Sequence, residues 1–182
     1  MILVDAGPLV AAFDPSDPDH AACTRILTAP GDSLTTTLPV LTEAFHLLRR
    51  PRGTPSGLMN VVTNGDVGLS PLDDADVRRC FDLMFQYADA PMDFADASLV
   101  TVGERSGTDR VFTLDRRHFP VYRMKRGHRH VPFTIIGPAG SEPPTVREPA
   151  EPYGARSSEP TAESVLGDVR EALDRLDHIL MR

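Results

Sequence analysis

The chain alternates short apolar runs with longer amphipathic stretches. Met1 to Val4 is a continuous apolar run that ends at Asp5, the mark of a short strand buried on both faces. Ala6 to Phe13 reads as a helix, with Pro8 near its start, where a missing N–H costs nothing. Asp14-Pro15-Ser16-Asp17-Pro18 is a turn, and Asp19 to Leu27 a second helix with Ala22, Ile26 and Leu27 inward. Leu34 to Thr37 is β-like. Leu38 to Leu48 is a helix with Pro39 in its first turn and an apolar stripe of Val40, Leu41, Ala44, Phe45 and Leu48. Gly53 to Gly65 fits a short helix, and Val67 to Leu69 a strand. Asp73 to Tyr87 is predicted helical, burying Val77, Cys80, Phe81, Met84 and Phe85. Ala90-Pro91 breaks the chain, and a helix runs from Asp93 to a stop at Gly107. Arg110 to Leu114 is a strand that exits at Asp115, and Phe133 to Ile136 a last edge strand. Helices alternating with buried strands predict an α/β fold, with a mostly parallel sheet covered on both faces.

Beyond this body, taken as residues 1–137, the pattern changes. Residues 138–163 are rich in Pro, Ser, Glu and Gly without apolar periodicity, and read as a linker. In 164–182, Leu166, Val169, Leu173, Leu176 and Leu180 recur at alternating spacings of three and four, an amphipathic helix with a heptad seam. An isolated helix of that length is marginal in water, so a docking surface is expected. The body of the chain, a second copy and another protein all remain open.

Composition narrows the class. The 182 residues, 41% hydrophobic and 25% charged, are those of a soluble globular protein with one sizeable core. No apolar run reaches the roughly 18 residues that span a membrane, and the N-terminus lacks signal-peptide character. Cys23 and Cys80 each sit inside a helical pattern, as buried thiols rather than a disulfide; a cytoplasmic location is expected.

A formal charge of −7 argues at first against nucleic acid. Residues 141–182 hold nine acids and five arginines, however, which leaves only −3 on the first 140. Within those 140 the bases are bunched. Arg49, Arg50 and Arg52 form one group; Arg116, Arg117, Arg123, Lys125, Arg126 and Arg129 form another, with His118, His128 and His130 among them. The second group reads either as a phosphate-binding surface or as a solvated loop.

The candidate chemistry lies in the acids. Asp93 and Asp96 stand three apart at a helix start and so share a face; helix capping is the competing explanation. Asp5 and Asp115 sit at strand exits, and Glu43 one turn into a helix, where a surface acid is the plain alternative. In a parallel α/β fold these places share one edge of the sheet, where such folds bind ligands. Carboxylates gathered there repel one another, and a hard cation such as Mg²⁺ or Mn²⁺ resolves the repulsion. No His/Cys spacing suits zinc, and no Gly-rich phosphate loop, Gly-x-Ser-x-Gly elbow or Cys/His pair is present.

At these residues the sequence resembles the PIN-domain ribonucleases, especially the VapC-type toxins of bacterial toxin–antitoxin pairs. The matching pieces are Ile2-Leu3-Val4-Asp5-Ala6-Gly7-Pro8-Leu9, Leu41-Thr42-Glu43, Asp93-Phe94-Ala95-Asp96-Ala97-Ser98-Leu99 and Phe112-Thr113-Leu114-Asp115-Arg116-Arg117-His118-Phe119. The resemblance covers residues 1–136 and leaves out the tail. It implies a PIN-like (Rossmann-like) three-layer αβα sandwich and an endoribonuclease dependent on Mg²⁺ or Mn²⁺. It also implies an RNA substrate, a cognate antitoxin protein and a homodimer. Carried over by position, Asp5, Glu43, Asp96 and Asp115 are the catalytic and metal-site acids. Asp93 either joins them through water or caps its helix, and Thr113 supports the site by hydrogen bonding. Two other readings stand beside this one: an RNA-binding or protein-interaction module with little activity, and a phosphatase using Asp5. The second is weakened by Gly7, where a further acid would help.

Overall fold

The structure is a computed structural model and describes residues 1–49, 53–90 and 92–138. The expected linker and C-terminal helix lie outside the described residues, as do Arg50 and Arg52. The described elements are β1 (Ile2–Val4), α1 (Ala6–Phe13), α2 (His20–Leu27), β2 (Leu34–Thr37), α3 (Leu38–Leu47), α4 (Pro55–Thr63) and β3 (Val67–Ser70). They continue with α5 (Asp74–Gln86), α6 (Phe94–Ser106), β4 (Arg110–Phe112), β5 (Arg123–Arg126), β6 (Arg129–Pro132) and β7 (Thr134–Ile136).

Among the described residues five strands form one sheet in the order β3-β2-β1-β4-β7, every pair parallel. Leu3 of β1 pairs with Thr35 on one side and Val111 on the other, so the first strand is central. All three of its residues are buried, as a continuous apolar run requires. Helices flank the sheet as an α/β three-layer arrangement: α1 packs with α2, α3 and α4, and α6 with α5 and α3. Parallel pairing sends every strand exit to the same edge, and the helix starts that follow β1 and β2 lie there too.

α6 is seated deeply. Gly103 faces the sheet so closely that a Cβ there would meet the Thr108 carbonyl oxygen at 3.0 Å, Phe133 at 3.2 Å and Leu3 at 3.3 Å. Its last turn ends at Gly107, whose left-handed φ of 71° is the usual conformation of a C-terminal stop.

Two expectations need correction. Phe81 and Phe85 do not belong to the buried stripe of α5; they are 49% and 82% exposed. The helix instead turns Asp76, Cys80 and Leu83 inward, because Asp76 pairs with Arg105 of α6 and Arg79 makes two hydrogen bonds, 2.8 and 2.9 Å, to Glu104. Polar pairing across α5–α6 rotates the face that apolar spacing selects. The stretch after Asp115, read as a possible solvated loop, contains the antiparallel hairpin β5–β6, turning at Gly127 with φ of 62°. Met124 fixes it to the core, the one residue of either strand that is buried.

Candidate active site

Asp5 leaves β1 and caps α1, its Oδ1 accepting the Ala6 N–H at 2.7 Å. Its Oδ2 accepts from the Thr113 hydroxyl at 2.7 Å, and Thr113 Oγ1 in turn accepts the Asp115 N–H at 2.9 Å. One fully buried threonine therefore joins the carboxylate after β1 to the backbone after β4. Thr113 makes the hydrogen bond to an acid that its expected supporting role requires.

Asp115 is stapled in place. Its Oδ1 accepts the N–H groups of Arg117 (2.7 Å) and His118 (3.0 Å), and its Oδ2 lies 2.7 Å from His118 Nδ1. Burial pushes this carboxyl up, but those N–H groups and the imidazole outweigh it and hold the acid below its ordinary range. His118, met in sequence as one of a basic group, thus belongs to an acid.

Asp93 caps α6, its Oδ1 accepting the Asp96 N–H at 2.8 Å. Asp96, one turn in, receives a hydrogen bond on Oδ2 from the Tyr122 hydroxyl at 3.1 Å. Glu43 is half-buried on α3 and shares an open cleft of about 760 Å³ with Asp93, Leu38, Pro39, His46 and Phe94. Behind the acids lies a layer of hydroxyls. Thr37 and Ser98 pair at 2.6 Å, Ser98 also donates to the Ala95 carbonyl, and Thr36 donates to the Val4 carbonyl. These bonds tie β2 to α6 and to β1 beneath the carboxylates.

The acids feel one another. Burial raises Asp5 to about 6, against the lowering hydrogen bonds of Thr113 and Ala6, with Asp115 and Asp93 adding repulsion. Burial, then Asp93 and Asp5, raise Asp96 to about 8. Glu43 is raised by burial and by the charges of Asp93 and Asp5. Among the described residues, Lys/Arg ion pairs are made by Asp32, Asp76 and Glu104 and not by Asp5, Glu43 or Asp96. Among the described residues no three His, Cys, Asp or Glu side chains are gathered closely enough to hold a metal ion together. The donors that these acids offer are carboxylate oxygens. That suits Mg²⁺ or Mn²⁺, which keep several waters, and not zinc.

The basic residues divide. Arg123 faces its own chain: Nη1 lies 2.7, 2.9 and 2.9 Å from the carbonyl oxygens of Pro120, Val121 and Tyr122. Arg126 donates to the Gly107 carbonyl, and the Arg116 guanidinium lies against Gly137. Arg117, Lys125 and Arg129 are exposed. The Lys125 N–H bonds Glu104 and Arg126 reaches Gly107, so the hairpin tip lies toward the far end of α6. At 1.5 Å per residue, that is roughly 12–16 Å along the axis from Asp96. Tyr122 escaped the sequence reading, because its partner lies 26 positions upstream and no acid-counting pattern includes a tyrosine.

Over 137 residues, 74% of this chain and 99% of the relative, the sequence is 30% identical to ribonuclease VapC26 of Mycobacterium tuberculosis. The crystal structure of Mycobacterium tuberculosis VapC20, a sarcin–ricin loop cleaving toxin, superposes with a TM-score of 0.58 at 19% identity. That match covers 63% of this chain and 90% of the other, and it shows the fold. No protein-family model matches. On its likeness to VapC26 and on this fold, the chain belongs to the VapC-type PIN-domain ribonucleases.

Proposed function

We propose that the chain is a metal-dependent endoribonuclease and the toxin of a toxin–antitoxin pair, acting in the cytoplasm. One observation carries the reading: Asp5, Glu43 and Asp96 are pushed upward at one edge of the sheet without an ion pair to Lys or Arg among the described residues. A divalent cation would relieve the mutual repulsion of these acids. Asp5, Asp96, Glu43 and Asp115 would be its ligands, directly or through water, with Asp93 acting mainly as the cap of α6. When bound, Mg²⁺ or Mn²⁺ supplies Lewis acidity to a phosphodiester.

The chain's own groups do the rest. Thr113 and the Ala6 N–H fix Asp5, and His118 fixes Asp115. Glu43, raised and open to the cleft, is the carboxylate suited to take a proton from the attacking water. The water oxygen bonds to phosphorus, the bond to the departing ribose oxygen breaks, and that oxygen gains a proton from solvent. Arg117, Lys125 and Arg129 would hold flanking phosphates, with Arg116, Arg123 and Arg126 chiefly bracing the chain that carries them. A cognate antitoxin and a second copy of the chain are the expected protein partners. Leu38, 63% exposed, with Phe81 and Phe85, is apolar surface that a partner can cover.

The test is incubation of a mixed cellular RNA pool with the protein and Mg²⁺ or Mn²⁺, with EDTA and Asp96→Asn as controls. Discrete fragments from the wild type that vanish in both controls are expected, and their ends reveal the target. Intact RNA at saturating Mn²⁺ would transfer the reading to a binding module without catalysis.

A further inference from the structure

Asp96 is the acid most strongly raised in this site, and the side chain that touches its carboxylate comes from a different part of the fold. Tyr122 is completely buried, and its ring is set by neighbours. Phe119 meets it edge-on at 5.4 Å between centroids and Tyr87 at 5.2 Å, while Phe119 is itself backed by Phe133 at 5.9 Å. Such pairs fix ring orientation as well as burying area.

The backbone that carries the ring is held just as firmly. The Arg123 guanidinium spans the carbonyls of residues 120–122, the Arg123 N–H donates to the Tyr87 hydroxyl at 3.0 Å, and the Tyr122 N–H donates to the His118 carbonyl. The Tyr122 hydroxyl therefore has little freedom. It meets Asp96 Oδ2 at 3.1 Å.

We propose that Tyr122 is a positioning residue of the site. Clamped by the Phe119–Tyr87 cluster and the Arg123 carbonyl bridge, its hydroxyl fixes the Asp96 carboxylate in the rotamer that binds the divalent cation. The inference rests on the metal-dependent reading of the site and adds to it an outer contact from the turn preceding the basic hairpin. Outer-layer hydrogen bonds to metal-binding side chains characteristically matter by one or two orders of magnitude in metal affinity. Arg123, grouped with the RNA-binding residues by sequence, is then one of the parts that aim an acid.

The test is calorimetric titration of the full chain with Mn²⁺, comparing wild type, Tyr122→Phe and Asp96→Ala, with near-ultraviolet circular dichroism to follow the aromatic cluster. Phe keeps the ring and its packing and removes only the donor. Tyr122→Phe is expected to bind Mn²⁺ ~10-fold more weakly. Its cleavage rate should recover at saturating Mn²⁺ while KM for RNA stays unchanged. In an Asp96→Ala background, where the hydroxyl has no side-chain oxygen to meet, the same substitution should change Mn²⁺ binding little, since the residue acts through that carboxylate. Equal Mn²⁺ affinity in wild type and a folded Tyr122→Phe overturns the positioning role and leaves the metal reading standing. Absence of Mn²⁺ binding by the wild type overturns both. Should Tyr122→Phe fail to fold, Tyr122→Met fills the space without a hydroxyl and is read in the same way.

Discussion

At the scale of the residue, a site made of buried carboxylates stores a cost that pH exposes. Asp5 at about 6 and Asp96 at about 8, with Glu43 also raised, bind protons in the folded state at pH values where the unfolded chain has released them. The unfolded carboxylates titrate near pH 4, so between about pH 4 and 8 the folded, metal-free protein holds more protons than the unfolded one. Its stability must then fall as pH rises through that window. Asp115 is lowered and works in the opposite sense, its stabilisation being lost only on acidification. The melting temperature of EDTA-treated protein is therefore expected to decline from about pH 5 to about pH 8.5, with saturating Mn²⁺ flattening the decline. Asp96→Asn keeps an oxygen for the Tyr122 hydroxyl and removes the charge. It should stabilise the metal-free protein by on the order of 1–2 kcal/mol near pH 8.5 while abolishing cleavage, a trade typical of functional acids. A denaturant series at two pH values checks both. That the acids stand at strand exits and helix starts was legible in the sequence. Their supports, Tyr122 and the Thr37–Ser98 pair, were not, because partners 26 and 61 residues apart leave no local pattern.

At the scale of the element, α6 matters most, since it carries Asp93 and Asp96 and packs against α5, α3 and β5. Its register against the sheet is set by Gly103, where even a methyl group meets Leu3, Phe133 and the Thr108 carbonyl. Gly103→Ala is expected to destabilise the fold by ~1–3 kcal/mol, measured by urea unfolding, despite the higher helix propensity of alanine. The hairpin makes a separate contribution. Lys125 and Arg129 lie toward the far end of α6 from the acids, so they can hold phosphates away from the one being cut. Lys125→Glu with Arg129→Glu should raise KM for RNA several-fold, leave kcat nearly unchanged and reduce the slope of log affinity against log salt by ~1–2. The hairpin eluded the sequence reading for a physical reason: of its strand residues only Met124 is buried, too few to leave a period-two pattern. The face of α5 was misread because ion pairs, invisible to a hydrophobic stripe, decide which side turns inward.

At the scale of the molecule, the parallel sheet was the most legible feature. A fully apolar first strand favours a central place, and strands alternating with helices favour parallel pairing; β4 and β7 are also parallel, although the hairpin and not a helix lies between them. The parallel arrangement also means that no part of the chain contains the site. Asp5 leaves β1 near the start, whereas its hydroxyl partner Thr113 follows β4, 108 residues later. β1 and β4 are immediate neighbours in the sheet, so the centre exists only once that distant pairing has formed. On the ribosome, then, the emerging protein cannot assemble the proposed centre until residues beyond Asp115 are out and β4 has docked. For a ribonuclease, which is made among RNA, the order of strands in the sheet works as a delay: the proposed centre forms only after more than half of the chain is made.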